Sequence, residues 1–430
     1  MRYLSSSVLA LVLLLVAVPD AAAQSAPSTA TAQPSARTAP EAEPVDDDPD
    51  PWEWTESYVD DHLNDYVGAG AGWTRPHERT SVLYPTAPPF RYNRVEGLVL
   101  GVRRDPLSLR DPDETARIYG QVSYAFALKD LRYNIGVESK IIHDPETGLK
   151  LGVSYRRQTR TPDHWKTSFL ENSLSSLGLG YDFFDYYEAQ GLSFYAVQAL
   201  PGSVRLKAGV RTEKHRSLSR NNQWSLFDVG TVRPNPAVEQ KRLQAGVLSL
   251  EGGRIRNHDD LPSGAAIRVA ATLGTAFGGD INANRYEMDG RVFVPLAPDT
   301  HLGLRLRGGY ATSGAPPQMQ FTIGSIGSLR SYPQNAFRGT RMLLGNAEYI
   351  IDEATLDTEL LEDAFLVGLF DAGWVGQPGQ PVRLNDVYPS AGFGIGLDER
   401  AVRLEVSWPL RNGSVTSSSP SIWLRITPNF

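Results

Sequence analysis

The last ten residues of the chain, 421–430, alternate between apolar and polar side chains and end on an aromatic residue. The apolar positions are Ile422, Leu424, Ile426, Pro428 and Phe430, and between them lie Ser421, Trp423, Arg425, Thr427 and Asn429. A period of two with one apolar face predicts a half-buried β-strand. Because the other face carries Arg425, the pattern is typical of a barrel wall between lipid and a wet lumen. Pro428 is the exception, since it cannot donate a hydrogen bond to a neighbouring strand.

The same alternation recurs along the chain from about Asn93. In 117–128, Ile118, Val122, Tyr124, Phe126 and Leu128 oppose Arg117, Tyr119, Gln121 and Ser123. Similar segments are found at 131–140, 149–156, 302–307 and 402–410. The segments reach about ten residues, the length of a tilted membrane-crossing strand, whereas strands of soluble sandwiches are usually about five or six residues long. About fifteen such segments are visible, and a closed bacterial barrel needs an even number. We therefore predict an all-β, transmembrane antiparallel β-barrel of 16 strands over 93–430, with 12 or 14 strands as alternatives.

Composition narrows the possible classes of protein. Beyond the N-terminal leader, no stretch approaches the roughly 18 consecutive apolar residues of a transmembrane helix. In a membrane, the chain must therefore form a closed barrel. The 18 Tyr, 15 Phe and 8 Trp residues can supply aromatic girdles. The formal net charge of −7 argues against a nucleic-acid partner. The absence of Cys excludes disulfides and thiolate metal sites.

The N-terminal region is predicted to target the chain for export. Arg2, the apolar run 8–18 and the small residues 21–23 together predict a cleaved signal peptide over 1–23. Residues 24–50 are rich in Ala, Ser, Pro and Thr and predict a disordered linker. It ends in the acidic run 46–50, which we interpret as a solvated charged segment rather than a calcium site.

Residues 51–92 are predicted to form a short periplasmic helix and a lead-in to the barrel. Asp50 can cap the helix, Pro51 suits its first position and Gly68 can end it. Its apolar face would carry Trp54, Tyr58, Leu63, Tyr66 and Val67. This helix would either pack on the barrel rim or act as a plug or docking site for a periplasmic partner at 52–67.

Two connections, at about 159–190 and 313–339, are too long to be turns, and long loops in a compact fold are usually functional. No Gly-x-Ser-x-Gly elbow, phosphate loop or His-Glu-x-x-His motif occurs. His164 lies in a loop beside Asp163 and Trp165, and this lone histidine is interpreted as polar surface. We therefore expect no enzyme activity, catalytic residue, cofactor or metal.

An ordered set of motifs begins in the second long connection. The motifs are Phe321-Thr-Ile-Gly324, Gly327-Ser-Leu-Arg-Ser-Tyr332, Leu344-Gly-Asn-Ala-Glu-Tyr349, Phe370-Asp-Ala-Gly-Trp374 and Gly392-Phe-Gly-Ile-Gly-Leu397. This order resembles the C-terminal barrel of the bacterial surface antigen family. That superfamily includes the outer-membrane barrel-assembly insertase and the two-partner-secretion transporters of Gram-negative bacteria. The resemblance implies a loop that folds into the lumen, followed by five strands, here expected at about 340–352, 364–376, 390–397, 401–410 and 421–430.

The resemblance also implies roles for individual residues. Arg330 would anchor the loop in the lumen by pairing with Glu348 and Asp371, and Leu329, Ser331 and Tyr332 complete the loop motif. Ser331 replaces the family glycine, so a positive φ there would be strained. Phe430 corresponds to the C-terminal signal through which the barrel-assembly machinery recognises its substrates. Residues 24–92 leave no room for the polypeptide-transport-associated domains of family insertases.

These observations predict an integral outer-membrane barrel that acts in protein or lipid translocation, or in membrane assembly, with a periplasmic partner. One alternative is a passive or plugged pore whose lumen favours anions through Arg305, Arg307, Arg403 and Arg425. A second is a secreted β-rich binding protein. We expect an occluded lumen, because the 313–339 loop can fold inward and Gly392, Gly394 and Gly396 leave one inner face bare. Pinning of Arg330 could serve barrel stability or gating.

Overall fold

The computed structural model describes residues 87–109, 113–144, 146–227, 232–258, 261–297, 300–351, 364–397, 402–411 and 419–426. The predicted signal peptide, linker, N-terminal helix and Phe430 lie outside these residues. The described part of the chain is mostly β-structure. Its strands are β1 (Arg91–Asn93), β2 (Gly97–Arg104), β3 (Ala116–Ala125), β4 (Asp130–Ile142), β5 (Leu149–Arg160), β6 (Tyr187–Leu200), β7 (Val204–Ser217), β8 (Arg242–His258), β9 (Leu261–Leu273), β10 (Asn284–Ala297), β11 (Thr300–Ala311), β12 (Phe321–Ile323), β13 (Phe337–Gly339), β14 (Arg341–Ile351), β15 (Phe365–Gly376), β16 (Tyr388–Leu397), β17 (Val402–Pro409) and β18 (Ser421–Ile426).

Sixteen strands form one antiparallel sheet in which each strand pairs with its neighbours along the chain. The short strands β12 and β13 form a separate hairpin between β11 and β14, and β11 pairs directly with β14. The prediction of a 16-stranded antiparallel barrel is confirmed. The five strands β14–β18 also begin and end within a few residues of the predicted segments.

The sheet is apolar on its outer face and polar on its inner face. In β3, Ile118 is 63% exposed on the outside, whereas Ser123 on the inside is 2% exposed. β18 follows the same rule, with Leu424 58% exposed and Arg425 fully buried. A soluble protein would leave this apolar face in water, whereas lipid covers it in a transmembrane barrel.

The two ends of the barrel differ in their connections. At one end, here called the short-turn end, the three-residue turn 201–203 joins β6 to β7. The opposite, long-loop end carries the two predicted connections, which span 161–186 and 312–340. It also carries a third long connection, 218–241, which the sequence did not indicate.

The 161–186 connection contains a helix that the sequence analysis missed, α1 (Phe169–Leu179). Ser168 caps it by accepting a hydrogen bond from the Glu171 N–H, and Gly180 ends it in the left-handed conformation, with φ 76°. Two single-turn 3₁₀ helices, Pro317–Met319 and Leu384–Asp386, lie in other long-loop connections.

No helix in the described ranges is long and apolar enough to cross a membrane.

Candidate functional site

Arg330 lies at the tip of the 312–340 loop, inside the barrel and fully buried. Its Nη1 lies 2.6 Å from Oδ1 of Asp371, and its backbone N–H donates to Oδ2 of the same carboxylate at 3.1 Å. Its Nη2 pairs closely with Glu348, and its Nε lies 3.1 Å from Oε2 of Glu405. The three carboxylates come from β14, β15 and β17, so one guanidinium group joins the loop to three strands of the wall.

Two further arginines extend this group into a buried charge network. Arg403 pairs with Glu348 at 2.9 Å and closely with Glu405. Arg425 lies 3.4 Å from Glu405 and 2.6 Å from Glu171, which belongs to α1. The network thus contains three arginines and four acids, namely Arg330, Arg403, Arg425, Glu171, Glu348, Asp371 and Glu405. Charges removed from water in this way are tolerated only when they are paired and hydrogen-bonded.

Sequence analysis did not identify Glu405 or Glu171 as members of this network. The alternation in β17 already puts Arg403 and Glu405 on the inner face, two residues apart. Glu405 faces Gly394 across the β16–β17 pair, and a side chain at Gly394 would come within 3.4 Å of the Glu405 Cγ. The missing side chain therefore leaves room for the carboxylate to reach Arg330.

The loop motif folds into a tight turn around Arg330. Leu329 is fully buried in an apolar cluster with Ile323 and Leu344, and its side chain packs over Gly373. Tyr332 is 1% exposed, donates its hydroxyl to the Pro389 carbonyl at 3.0 Å and contacts the rings of Phe337 and Tyr388 edge-on.

The strain expected at Ser331 is absent. Its φ is not positive, and the side chain is simply buried. The left-handed positions of this loop are Gly314, Gly324, Ser325, Gly327 and Asn335. Ser325, with φ 73°, donates its N–H to the carbonyls of Leu329 and Tyr332 and closes the turn. The backbone reversal therefore occurs before Arg330 rather than after it.

The 161–186 loop packs against the 312–340 loop. Lys166 Nζ lies 2.7 Å from Asp163 and 3.1 Å from the hydroxyl of Thr322, and Thr322 donates to Asp163. At Gly327, φ is 64° and an added Cβ would lie 1.6 Å from the Lys166 carbonyl oxygen. Asp163 is 1% exposed and holds the two loops together.

His164, next to Asp163, is half-buried, and its Nδ1 lies 3.1 Å from the Thr161 carbonyl oxygen. Burial lowers the pKa of this imidazole to about 4, so it is neutral near pH 7. No group of three or more potential metal ligands is found among the described residues.

The first and last strands of the sheet, β1 and β18, do not pair with each other in the described part of the chain. Helix α1 contacts both strands instead. The Tyr92 N–H of β1 donates to Oγ of Ser173 at 3.1 Å, and the Ile426 N–H of β18 donates to Oε1 of Glu171 at 3.0 Å. We call this place, where α1 bridges β1 and β18, the seam. Side chains of α1 thus accept hydrogen bonds from backbone N–H groups that would otherwise donate to a neighbouring strand.

The four arginines predicted to line an anion-favouring lumen all point inward. Arg305 lies 2.9 Å from Asp289, and Arg307 lies 2.7 Å from the same carboxylate and 3.1 Å from Glu287. The Trp165 ring of the first loop lies 4.4 Å from the Arg307 guanidinium carbon. Arg403 and Arg425 belong to the network described above. All four are therefore paired with acids, and none offers a free charge to a passing anion.

The inner face of β16 lacks side chains at Gly392, Gly394 and Gly396, as predicted, but within the described ranges the nearest atoms to these positions belong to strands and not to a loop. A Cβ at Gly396 would meet the Phe365 ring at 2.2 Å, and one at Gly394 would meet Val367 at 3.0 Å. Neighbouring strands therefore cover these glycines. The two long loops enter the lumen elsewhere, against β11, β14, β15 and α1. Fold and site together define a transmembrane β-barrel whose lumen holds two of its own loops.

Comparison with known proteins gives one family match. Residues 65–246, less than half of the chain, match the model of the DUF5686 C-terminal domain, described as a family of unknown function. This match ends before the loop that carries Arg330. No curated protein matches the sequence.

Solved structures with a similar fold are outer-membrane barrels of low sequence identity. BamA from Haemophilus ducreyi, lacking POTRA domains 1–3, has a TM-score of 0.49 and 14% identity, over 78% of this chain and 69% of that one. CdiB from Acinetobacter baumannii has a TM-score of 0.43 and 12% identity, over 72% and 53%. CdiB from Escherichia coli has a TM-score of 0.41 and 10% identity, over 78% and 60%. The chain thus spans little more than half the length of the two CdiB proteins.

Proposed function

We propose that this protein is an outer-membrane β-barrel of the surface antigen superfamily that acts in translocation or membrane assembly, without catalysing a reaction. The observation that carries this proposal is the buried contact of Arg330 with Glu348, Asp371 and Glu405. A passive channel needs no such device, because a loop pinned inside the wall obstructs the path that a channel must keep open.

The pinned loop also suggests how such a protein would be regulated. Removing one member of a buried ion network costs about 3–5 kcal/mol, so thermal motion seldom releases the loop. A substrate or partner that makes compensating contacts could shift this equilibrium. The barrel would then be closed at rest and would open only when it is engaged.

Several partners follow from this proposal. Outer-membrane lipid would cover the apolar face of the barrel, and the barrel-assembly machinery would recognise the C-terminal strand through Phe430. A periplasmic partner would dock at 52–67. Nucleic acid is not a proposed partner, since the formal net charge is −7.

A plugged pore remains the second candidate, and one observation favours it. The inner face of the barrel is lined by polar and charged side chains, several of which keep partial exposure on β5 and β7. A lumen of this kind conducts water and ions once its loops are removed.

Crosslinking and conductance together separate the two candidates. A photoreactive residue at Tyr58 would be compared in cells with one at Ser28 in the predicted linker, and the purified barrel would be recorded in planar bilayers. A closed barrel with a partner captured specifically from position 58 supports the translocation or assembly role. A steady open channel with equal capture at both positions favours the pore and contradicts the proposal.

A further inference from the structure

The inner face of β5–β7 carries a group of cations that the charge network around Arg330 does not include. Its members are Arg156, Arg160, Lys207 and Arg211, and the strand alternation directs all four toward the lumen. We propose that this wall, here called the β5–β7 wall, binds a phosphate group. The site is independent of the translocation or assembly role proposed above.

Three of these cations converge on a single carboxylate, that of Glu213. Arg156 Nε lies 3.5 Å from Oε1, Arg160 Nη1 lies 3.4 Å from Oε1, and Arg211 Nε lies 3.6 Å from Oε2. His215 Nε2 lies 3.6 Å from Oε2. Glu213 is fully buried beneath them, so its carboxylate draws the guanidinium groups together.

The strand register explains this convergence. Arg156 of β5 pairs with Gly191 of β6, which in turn pairs with Glu213 of β7. Because Gly191 has no side chain, nothing separates the guanidinium from the carboxylate across the middle strand. An added Cβ at Gly191 would lie 1.8 Å from the Thr212 carbonyl oxygen, so this position admits only glycine.

The charges on this wall do not balance. Within the described part of the chain, Glu213 is the only carboxylate paired with Arg156, Arg160 or Arg211. Lys207 lies over the Tyr195 ring at 4.7 Å instead of pairing with an acid. Three cations therefore share one anion and Lys207 adds a further positive charge to the wall, whereas the network around Arg330 holds three cations and four anions. The wall lacks negative charge, which a bound anion would supply.

The arginines also have hydrogen-bond donors to spare. Each guanidinium carries five N–H donors in a planar fork. In the described part of the chain, Arg156 donates through Nη2 to Ser193 and Arg211 through Nη2 to Thr272 at 3.5 Å, which leaves the Nη1 group of each without a hydrogen-bond acceptor. The side chains of Arg156, Arg160 and Arg211 remain 20%, 32% and 17% exposed, so a ligand in the lumen can reach them.

A phosphate group fits this arrangement better than a halide or a single carboxylate. Its oxygens can receive parallel N–H bonds from several guanidinium forks at once, and its charge of up to −2 matches the local excess. Free phosphate and the headgroup of an anionic phospholipid share this chemistry. Arg160 is the last residue of β5 at the long-loop end. Free phosphate or a lipid headgroup could therefore reach the site from the lumen, on the inner side of the long loops.

Arginine modification tests this site on the unaltered full-length protein. Phenylglyoxal would be applied to the detergent-solubilised barrel in sodium phosphate or in sodium chloride of equal ionic strength, with modified residues identified by mass spectrometry. At a phosphate concentration ten times Kd, modification of Arg156, Arg160 and Arg211 should slow roughly tenfold, because only about a tenth of the sites remain free. Arg157 is an internal control, since it follows Arg156 on the opposite face of β5 and pairs with Asp130.

Two variants sharpen the test. Phosphate should raise the thermal unfolding midpoint of the wild-type protein and of Arg157→Gln more than chloride does, but not that of Arg211→Gln. If Arg211→Gln fails to show the gel shift of a folded barrel, the modification experiment on the wild type still decides. Equal modification rates in phosphate and chloride would overturn the proposal, as would equal protection of Arg157.

A separate arm identifies the source of the phosphate. Dihexanoyl phosphatidic acid and inorganic phosphate would be compared as protecting ligands, with dihexanoyl phosphatidylcholine as the zwitterionic control. Protection by phosphatidic acid at a lower concentration than inorganic phosphate assigns the site to a lipid headgroup. Equal or weaker protection by phosphatidic acid assigns it to a free phosphate compound. Protection by phosphatidylcholine alone would contradict recognition of an anionic phosphate.

Discussion

Glu171 in helix α1 and Arg425 in the last described strand form an ion pair with an Nε–Oε1 distance of 2.6 Å, although 254 residues separate them in the chain. The same carboxylate oxygen accepts the Ile426 N–H. Because Ser173 of α1 accepts the Tyr92 N–H of β1, one helix from the middle of the chain holds both edges of the sheet. The seam is therefore stabilised from inside the barrel rather than by strand pairing.

This relationship predicts that Glu171→Ala destabilises the barrel. The substitution leaves Arg425 with only Glu405, at 3.4 Å, and removes the Glu171 carboxylate to which the Ile426 N–H donates. We expect the free energy of unfolding to fall by about 3 kcal/mol, near the lower end for breaking a buried ion pair. Urea unfolding in detergent would measure the change. Ser175→Ala, in the same helix but away from both edge strands, should cost much less, and an equal loss in the two variants would contradict a specific role for the seam.

Arg330→Ala should also destabilise the barrel, because it leaves a buried acid unpaired, whereas Glu171→Ala removes an acid from a buried arginine. It leaves Asp371 without a cation, while Arg403 still compensates Glu348 and Glu405. The expected loss is about 2–5 kcal/mol. Arg383→Ala, on an exposed loop at the same end, should have little effect.

A double-mutant cycle tells whether the pairing of Arg330 with Asp371 causes that loss. Adding Asp371→Asn to Arg330→Ala removes the uncompensated carboxylate, so the double variant should be more stable than the sum of the two single losses predicts. Strict additivity in urea unfolding would mean that Arg330 stabilises the loop through Glu348, Glu405 or packing rather than through Asp371.

Gly327 and Gly314 provide a matched pair for testing the contact between the two loops. Both have a positive φ, 64° and 79°, so an alanine at either position costs about 1–2 kcal/mol in backbone strain. Only at Gly327 would the new Cβ also collide with the Lys166 carbonyl oxygen, whereas Gly314 faces open space. Gly327→Ala should therefore increase cleavage of the 161–186 loop by added protease, and Gly314→Ala should not. Similar cleavage in both variants would show that strain, not the clash, controls the loop.

Much of the wall was predictable because its signal is local. The face on which a residue such as Ile118 or Ser123 lies can be predicted from its immediate neighbours, because successive side chains of a strand point to opposite faces. The same reasoning located β14–β18 within a few residues. It also placed Arg403 and Arg425 on the inner face, where the structure has them.

The partners of the inward charges could not be predicted in the same way. Strand alternation says that Arg425 faces the lumen, but not that Glu171 meets it from a loop 254 residues earlier. Such pairing depends on how the loops fold back inside the barrel. Helix α1 did leave a local signal, in Ser168 followed three residues later by Glu171 and ended by Gly180. This signal was overlooked within a region interpreted as an irregular connection.

The fold itself predicts heat-modifiable behaviour on gels. An intact barrel with a lipid-covered outer face should resist unfolding by detergent at room temperature, and so run faster unboiled than boiled. The protein should be recovered from the membrane fraction and require detergent for extraction. Recovery as a soluble periplasmic protein with a single gel position would contradict the transmembrane assignment and favour a secreted binding protein.

Occlusion of the lumen can be tested by removing the segments proposed to cause it. Deletion of residues 313–338 should raise the single-channel conductance in planar bilayers and the uptake of antibiotics by cells. The reason is that a 16-stranded barrel without an inward loop is wide enough for an aqueous channel. Arg330→Ala separates obstruction from anchoring, because it keeps the loop but removes its main ion pairs; it should give brief openings rather than a steady channel. Removal of 378–383, from an exposed turn at the same end, is the matched control and should leave conductance unchanged.

Deletion of 50–68 tests the predicted N-terminal helix independently. If neither the 313–338 nor the 50–68 deletion changes permeability, the lumen is not closed by these segments.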